Sequence, residues 1–214
     1  MTGPLDLSGW SWGGSAAGSL YAVPAEERLA AAHQLDGAGW WVHVDLVLDP
    51  SGVSTGVSVE TLQLVRESLP QTRLEVHVID LGPVPTPLDV VLAAQPDRVV
   101  LSAGRCRREG EEVRAAGAQV WVEHAGSPLP PDLVVDGALV MLIDPGTTQP
   151  IDLARLDAVA SLPPGLPVGV DGGVGRAHVQ ALTDAGVQHL VSGRALLSQQ
   201  HQHIRPRATE ESRR

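Results

Sequence analysis

The 214-residue chain has no lysine and no phenylalanine, only one cysteine, and no apolar run approaching the ~18–20 residues that cross a bilayer. Without lysine there is no Schiff-base aldol chemistry, no P-loop lysine and no lysine general base. The lone Cys106 supplies neither an intramolecular disulfide nor a cysteine-rich zinc site, so any metal must be held by histidine and carboxylate. Aromatic residues are 3% of the chain, five Trp and one Tyr, which leaves the core to Val, Leu and Ala. Fifteen basic residues, all arginine, face 25 Asp and Glu, and the net charge of −10 argues against a nucleic-acid surface. No basic region precedes an apolar stretch at the N-terminus, so a soluble, cytoplasmic protein with no membrane partner is expected.

The chain is 43% hydrophobic and 19% charged, in keeping with a folded domain. Short, β-branched, nearly continuous apolar runs occupy Trp40–Leu48, Leu74–Ile79, Arg98–Ser102, Gln119–Glu123, Ala138–Ile143, Pro167–Val170 and Gln188–Ser192. Such runs suit parallel strands buried on both faces. A first strand is expected around Ser19–Ala22. Between the strands, Ala25–Leu35, Val59–Leu69, Pro87–Ala94, Glu109–Ala116, Ile151–Ala160 and Arg176–Ala185 space their apolar residues as helices do. The fifth helix is weak, because Pro128, Pro130 and Pro131 crowd its region. Eight strand–helix repeats of about 25 residues each favour a single-domain (β/α)8 TIM barrel over an open doubly wound sheet. The expected layout is a flexible extension over 1–17, the barrel over 18–198 and a disordered tail over 199–214.

The strand ends carry the chemistry. The second strand ends in His43-Val44-Asp45, the third holds His77, and the seventh ends in Asp171-Gly172-Gly173. In a barrel these positions converge on one mouth, and residues two apart on a strand face the same way. Two imidazoles and two carboxylates there suit a divalent metal. A histidine in a barrel strand is, taken singly, more often a hydrogen-bonded core residue. It is the four together that favour a metal, since burying them without a counter-charge is costly. His124 reads as structural or solvent-facing, though near the mouth. His178 and His189 lie away from it. His201 and His203 form a short His-x-His in the tail.

The order of these motifs resembles the ribulose-phosphate 3-epimerase family of TIM barrels, from about Gly18 to Leu197. Gly18-Ser19-Leu20, His43-Val44-Asp45, Val76-His77-Val78, Met141 to Gly146, Val170 to Val174 and Val191 to Ala195 resemble that family's strand-end segments in sequence order. The resemblance implies one divalent ion (zinc, iron, manganese or cobalt) on His43, Asp45, His77 and Asp171. It implies that Asp45 and Asp171 are the acid/base pair for epimerisation at C3 of a pentulose 5-phosphate or related ketose. Ser19, His77 and Met141 would contact the sugar, and Gly146, Gly172, Gly173, Gly193 and Arg194 its phosphate. The chain departs from the family pattern at Gly146-Thr147-Thr148-Gln149, and at Arg194 where a small residue is expected. Other departures are Leu46-Val47-Leu48-Asp49 after the His-x-Asp, Ile79 and Leu101-Ser102-Ala103. The partner expected is a small sugar phosphate or ketose. Trp40, Trp41 and the outer helices offer surfaces for a homo-oligomer. Other phosphate-handling barrels and a non-catalytic binding barrel remain as alternative readings.

Overall fold

The computed structural model describes residues 10–145, 147 and 149–197. Eight parallel strands close on themselves in chain order, each hydrogen-bonded to its sequence neighbours and the first to the last. They are β1 (Ser15–Ser19), β2 (Trp41–Leu48), β3 (Leu74–Asp80), β4 (Arg98–Leu101), β5 (Gln119–His124), β6 (Gly137–Met141), β7 (Val168–Asp171) and β8 (His189–Ser192). The register pairs Ser19 with His43, Asp45 with His77 and Met141 with Asp171. Alternation along each strand then divides the side chains between the barrel interior and the surrounding helices.

The helices are α1 (Arg28–Gly37), α2 (Val59–Ser68), α3 (Leu88–Leu92), α4 (Ala103–Ala115), α5 (Val179–Asp184) and α6 (Arg194–Leu197). Ser58 caps α2 by accepting the Thr61 backbone N–H at 3.2 Å, and Leu62 and Val65 on the covered face are wholly buried. The outer strand faces (Val42, Val44, Val76, Val99, Val120, Val122) pack with such helix faces in one large core. A second, smaller cluster of Ala17, Val100, Trp121, Leu139, Met141 and Val191 fills one side of the barrel interior. The opposite side, built by β2 and β3, is lined by charged and imidazole groups.

Four expectations need correction. The first strand is Ser15–Ser19, so 15–17 belong to the barrel and not to an N-terminal extension, while Leu20–Ala22 form a 3-10 turn capped by Ser19. Alanine, glycine and serine dominate β1, so it lacks the β-branched signal that marks the other strands. Helix α4 begins at Ala103, six residues before the expected start. Its first turns are polar and are held by tertiary contacts: Arg105 donates to Asp80 at 2.8 Å and to the Thr86 carbonyl at 2.9 Å. No helix joins β5 to β6; the prolines leave a loop. The segment Leu153–Ser161 winds as a 3-10 helix, started by Asp152 accepting from Ala154 N at 3.1 Å. The expected tail over 199–214 lies outside the described residues. Among the described residues no helix is long and apolar enough to cross a membrane.

Candidate metal centre

His43 and Asp45 project inward from β2, His77 from β3 and Asp171 from the end of β7. Both imidazoles are fully buried, and Asp45 is 6% exposed. One ligand atom from each residue lies within 4.8 Å of the other three. His43 Nε2 is 3.0 Å from Asp45 Oδ1 and 3.9 Å from Asp171 Oδ2. His77 Nδ1 is 3.5 Å from Asp45 Oδ1 and 4.0 Å from Asp171 Oδ2. Four ligands at metal–donor lengths of about 2.1 Å form a tetrahedron with edges of roughly 3.4 Å, and the four separations above, from 3.0 to 4.0 Å, lie on either side of that length.

The far side of each ring is already occupied. His43 Nδ1 donates to Glu75 Oε1 at 2.6 Å, and His77 Nε2 donates to Glu123 Oε2 at 2.9 Å. A carboxylate only accepts, which fixes the direction of both bonds. His77 Nδ1 is buried with no hydrogen-bond partner of its own. A buried ring nitrogen that faces two carboxylates without a hydrogen bond of its own is costly alone and natural at a cation site.

The electrostatics separate the two aspartates. Burial would raise the carboxyl of Asp45, but the His43 imidazole beside it, and His77 after that, hold it well below the ordinary carboxylate range. Burial pushes Asp171 up to about 6, helped by the negative charge of Asp45 and only partly offset by the two histidines. Burial opposes protonation of His77, yet Asp45 and Glu123 together hold it up at about 9. His43 is likewise raised well above its ordinary value, since Asp45 and Glu75 outweigh its desolvation.

Above this cluster opens a cavity of 620 Å³. Asp45, Asp171, Ser19 and Met141 line it, and Val47, Ile79, Ile143 and Val174 make its walls apolar. Ser19 Oγ donates to Asp45 Oδ2 at 2.7 Å, holding the carboxylate rather than pointing freely into the cavity. Met141, 2% exposed, belongs to the wall beside Asp171. Gly172, Gly173, Gly193 and the exposed Arg194 all line the opening, with Tyr21 and Thr147. Gly146 lies outside the described residues. Gly172 has φ +106°, and a Cβ there would sit 2.6 Å from Ile143 Cγ1. Its glycine is therefore required by backbone geometry and close packing, whatever it binds.

His124 ends β5 with its side chain buried and its Nε2 unpartnered, and it does not line the cavity. His178 Nδ1 accepts from Gly175 N at 3.1 Å, a local role. His189 is away from the cavity but inside the barrel, between Ser15 Oγ (2.8 Å) and Glu75 Oε1 (3.3 Å). Trp41, half-buried, stacks on Arg98 at 4.4 Å, and Trp40 packs edge-on to Trp10. His201 and His203 lie outside the described residues. Sequence reasoning missed Glu75, Glu123 and Arg98. The available signal was spacing: Glu75 lies two residues before His77 and so shares its face of β3.

This is a closed (β/α)8 barrel, the TIM-barrel fold. No family model matches the chain and no curated protein sequence matches it, but solved structures do. The N-acetylmannosamine-6-phosphate 2-epimerase from Clostridium perfringens superposes with a TM-score of 0.64 at 15% identity, covering 88% of this chain and 90% of that one. Phosphoribosyl anthranilate isomerase from Thermus thermophilus gives 0.60 at 15% identity over 85% and 88%. The 3-hexulose-6-phosphate synthase from Salmonella typhimurium gives 0.61 at 14% identity over 85% and 89%. At these identities the likeness concerns the fold.

Proposed function

We propose that the protein is a metal-dependent ketose 3-epimerase, similar to ribulose-phosphate 3-epimerases and acting on D-ribulose 5-phosphate, D-xylulose 5-phosphate or a related ketose phosphate. The observation that carries this reading is the convergence of His43 Nε2, His77 Nδ1, Asp45 Oδ1 and Asp171 Oδ2 beneath one cavity, with His77 Nδ1 otherwise unpartnered. The structural neighbours support the wider reading of an enzyme that handles sugar phosphates, since each of the three named above carries a phosphorylated sugar in its name.

His43, His77, Asp45 and Asp171 would hold the cation, which when bound would supply Lewis-acid stabilisation of negative charge on the substrate oxygens. The rest of the chemistry belongs to the chain. Epimerisation requires a base on one face of C3 and an acid on the other. Asp45, kept ionised by its two imidazoles and oriented by Ser19, suits the base in one direction. Asp171, raised to about 6, holds or releases a proton near neutrality and suits the acid. The roles exchange in the reverse reaction. Val47, Ile79, Ile143 and Met141 keep water from the carbanionic carbon, and Arg194 at the rim gives the opening a cation for an anionic substrate end.

The test is incubation of metal-loaded protein with D-ribulose 5-phosphate in D₂O, followed at C3 by NMR. The expected result is xylulose 5-phosphate bearing deuterium at C3, abolished in Asp45→Asn and in Asp171→Asn with the fold intact. Turnover at normal rates in either variant sinks the two-carboxylate mechanism. No exchange with any ketose phosphate by wild-type protein carrying metal sinks the epimerase reading and leaves a binding barrel.

A further inference from the structure

We infer that Glu75 and Glu123 are positioning residues that fix the two histidines in opposite tautomers, so that His43 presents Nε2 and His77 presents Nδ1 to the same point. The inference rests on the metal reading above and assigns to it two carboxylates outside the ligand set.

His43 and His77 sit on neighbouring strands, and their ring centroids are 5.9 Å apart at an interplanar angle of 68°. Two rings so placed meet one centre through unlike nitrogens, and each then needs its remaining N–H satisfied on the far side. Glu75 does this for His43 and Glu123 for His77, at 2.6 and 2.9 Å. The two supports are built differently. Glu75 is wholly buried and pairs with the Arg98 guanidinium, whose Nη1 donates to Oε2 at 2.6 Å. Arg98 is itself clamped between the rings of Trp41 and Trp121, 4.4 and 3.7 Å from their centroids. His189 adds a second donor to Oε1 at 3.3 Å. Glu75 thus cannot turn away from His43 without giving up its bonds to Arg98 and His189. Glu123 has a side chain 20% exposed and bonds His77 alone among the described contacts, so its removal disturbs little else.

Carboxylates behind metal-bound imidazoles orient the ring and raise its basicity, and their loss commonly weakens metal binding by about 10–100-fold. The experiment measures Zn²⁺ affinity by calorimetry for wild type, Glu123→Ala and Glu75→Gln, with ¹⁵N NMR of the histidine rings in the zinc-loaded proteins. Circular dichroism of the metal-free forms confirms folding. In wild type one histidine should show a zinc-bound Nε2 and the other a zinc-bound Nδ1, each with a slowly exchanging N–H on its second nitrogen. Glu123→Ala should bind zinc roughly 10–100-fold more weakly. It should also lose the protected N–H of His77 while keeping that of His43; a merely structural role would not select one ring. Glu75→Gln should weaken binding with the opposite ring affected. Variants that match wild type in affinity and in both ring signals overturn the inference and leave the metal reading standing. Wild-type protein that takes up no divalent ion overturns both.

Discussion

Glu75 shows how one buried carboxylate can join stability to chemistry. It is fully enclosed, accepts from His43, His189 and Arg98, and has its charge balanced by a guanidinium lying between two indoles. Removing one partner of such a pair leaves the other charge stranded, at a cost of about 3–5 kcal/mol. Glu75→Ala should therefore lower the equilibrium unfolding free energy by that amount, measured in urea on metal-free protein. A loss under about 1 kcal/mol would mean that Arg98 finds water or another acceptor. The clustering of His43, Asp45, His77 and Asp171 was legible in the sequence because His-x-Asp and a second histidine are short patterns with a fixed facing. Glu75 obeys the same two-residue spacing from His77, but a lone glutamate in an apolar run carries no mark of its partners. Glu123 and Arg98 were hidden for a similar reason: their meaning depends on strands 46 and 23 residues away in the chain.

At the scale of elements, β2 and β3 were legible almost to the residue, since long Val- and Leu-rich runs buried on both faces leave few alternative structures. Elements held by tertiary contacts were not. The start of α4 depends on Arg105 reaching Asp80 and Thr86, and β1 depends on hydrogen bonds to β2 and β8 rather than on the propensity of Ser-Ala-Ala-Gly-Ser. The β5–β6 connection is the converse case. It holds no helix, its Val134 is 69% exposed, and its tertiary contacts lie from Leu129 onward, ending where Asp136 Oδ2 accepts from Val120 N at 2.7 Å. Lengthening a loop costs only about 0.6 kcal/mol per doubling. Four Gly/Ser residues inserted after Ser127 should thus cost less than about 1 kcal/mol, read as a small change in the unfolding midpoint. A loss of several kcal/mol would show that this connection packs as a structural element.

The whole barrel should respond to pH in opposite senses with and without its cation. In the metal-free protein, His77 titrates at about 9 when folded against an ordinary 6.5. Its contribution to stability is complete below 6.5 and is lost as pH rises through 9, a loss on the order of 3 kcal/mol. His43, also raised, acts in the same direction. Asp171, raised from 3.8 to about 6, contributes stability below 3.8 that is lost as pH rises through 6. Asp45 and Glu75, both depressed, act the other way: their stabilisation is present above their unfolded values and disappears in acid. The metal-free barrel should therefore be most stable in mild acid and weaken as pH rises from about 6.5 to 9. A bound cation requires the same imidazoles and carboxylates to shed their protons, so its affinity climbs over the same interval. Because a ligand bound only to the folded state stabilises it in proportion to RT ln(1 + [L]/Kd), the gain from metal must widen with pH. Thermal unfolding in EDTA and in excess Zn²⁺ should give melting temperatures that diverge between about pH 6.5 and 9, falling in the first series and holding or rising in the second. Parallel curves would mean that the four groups titrate without binding the ion, and the buried cluster would then be a charge network that serves the fold alone.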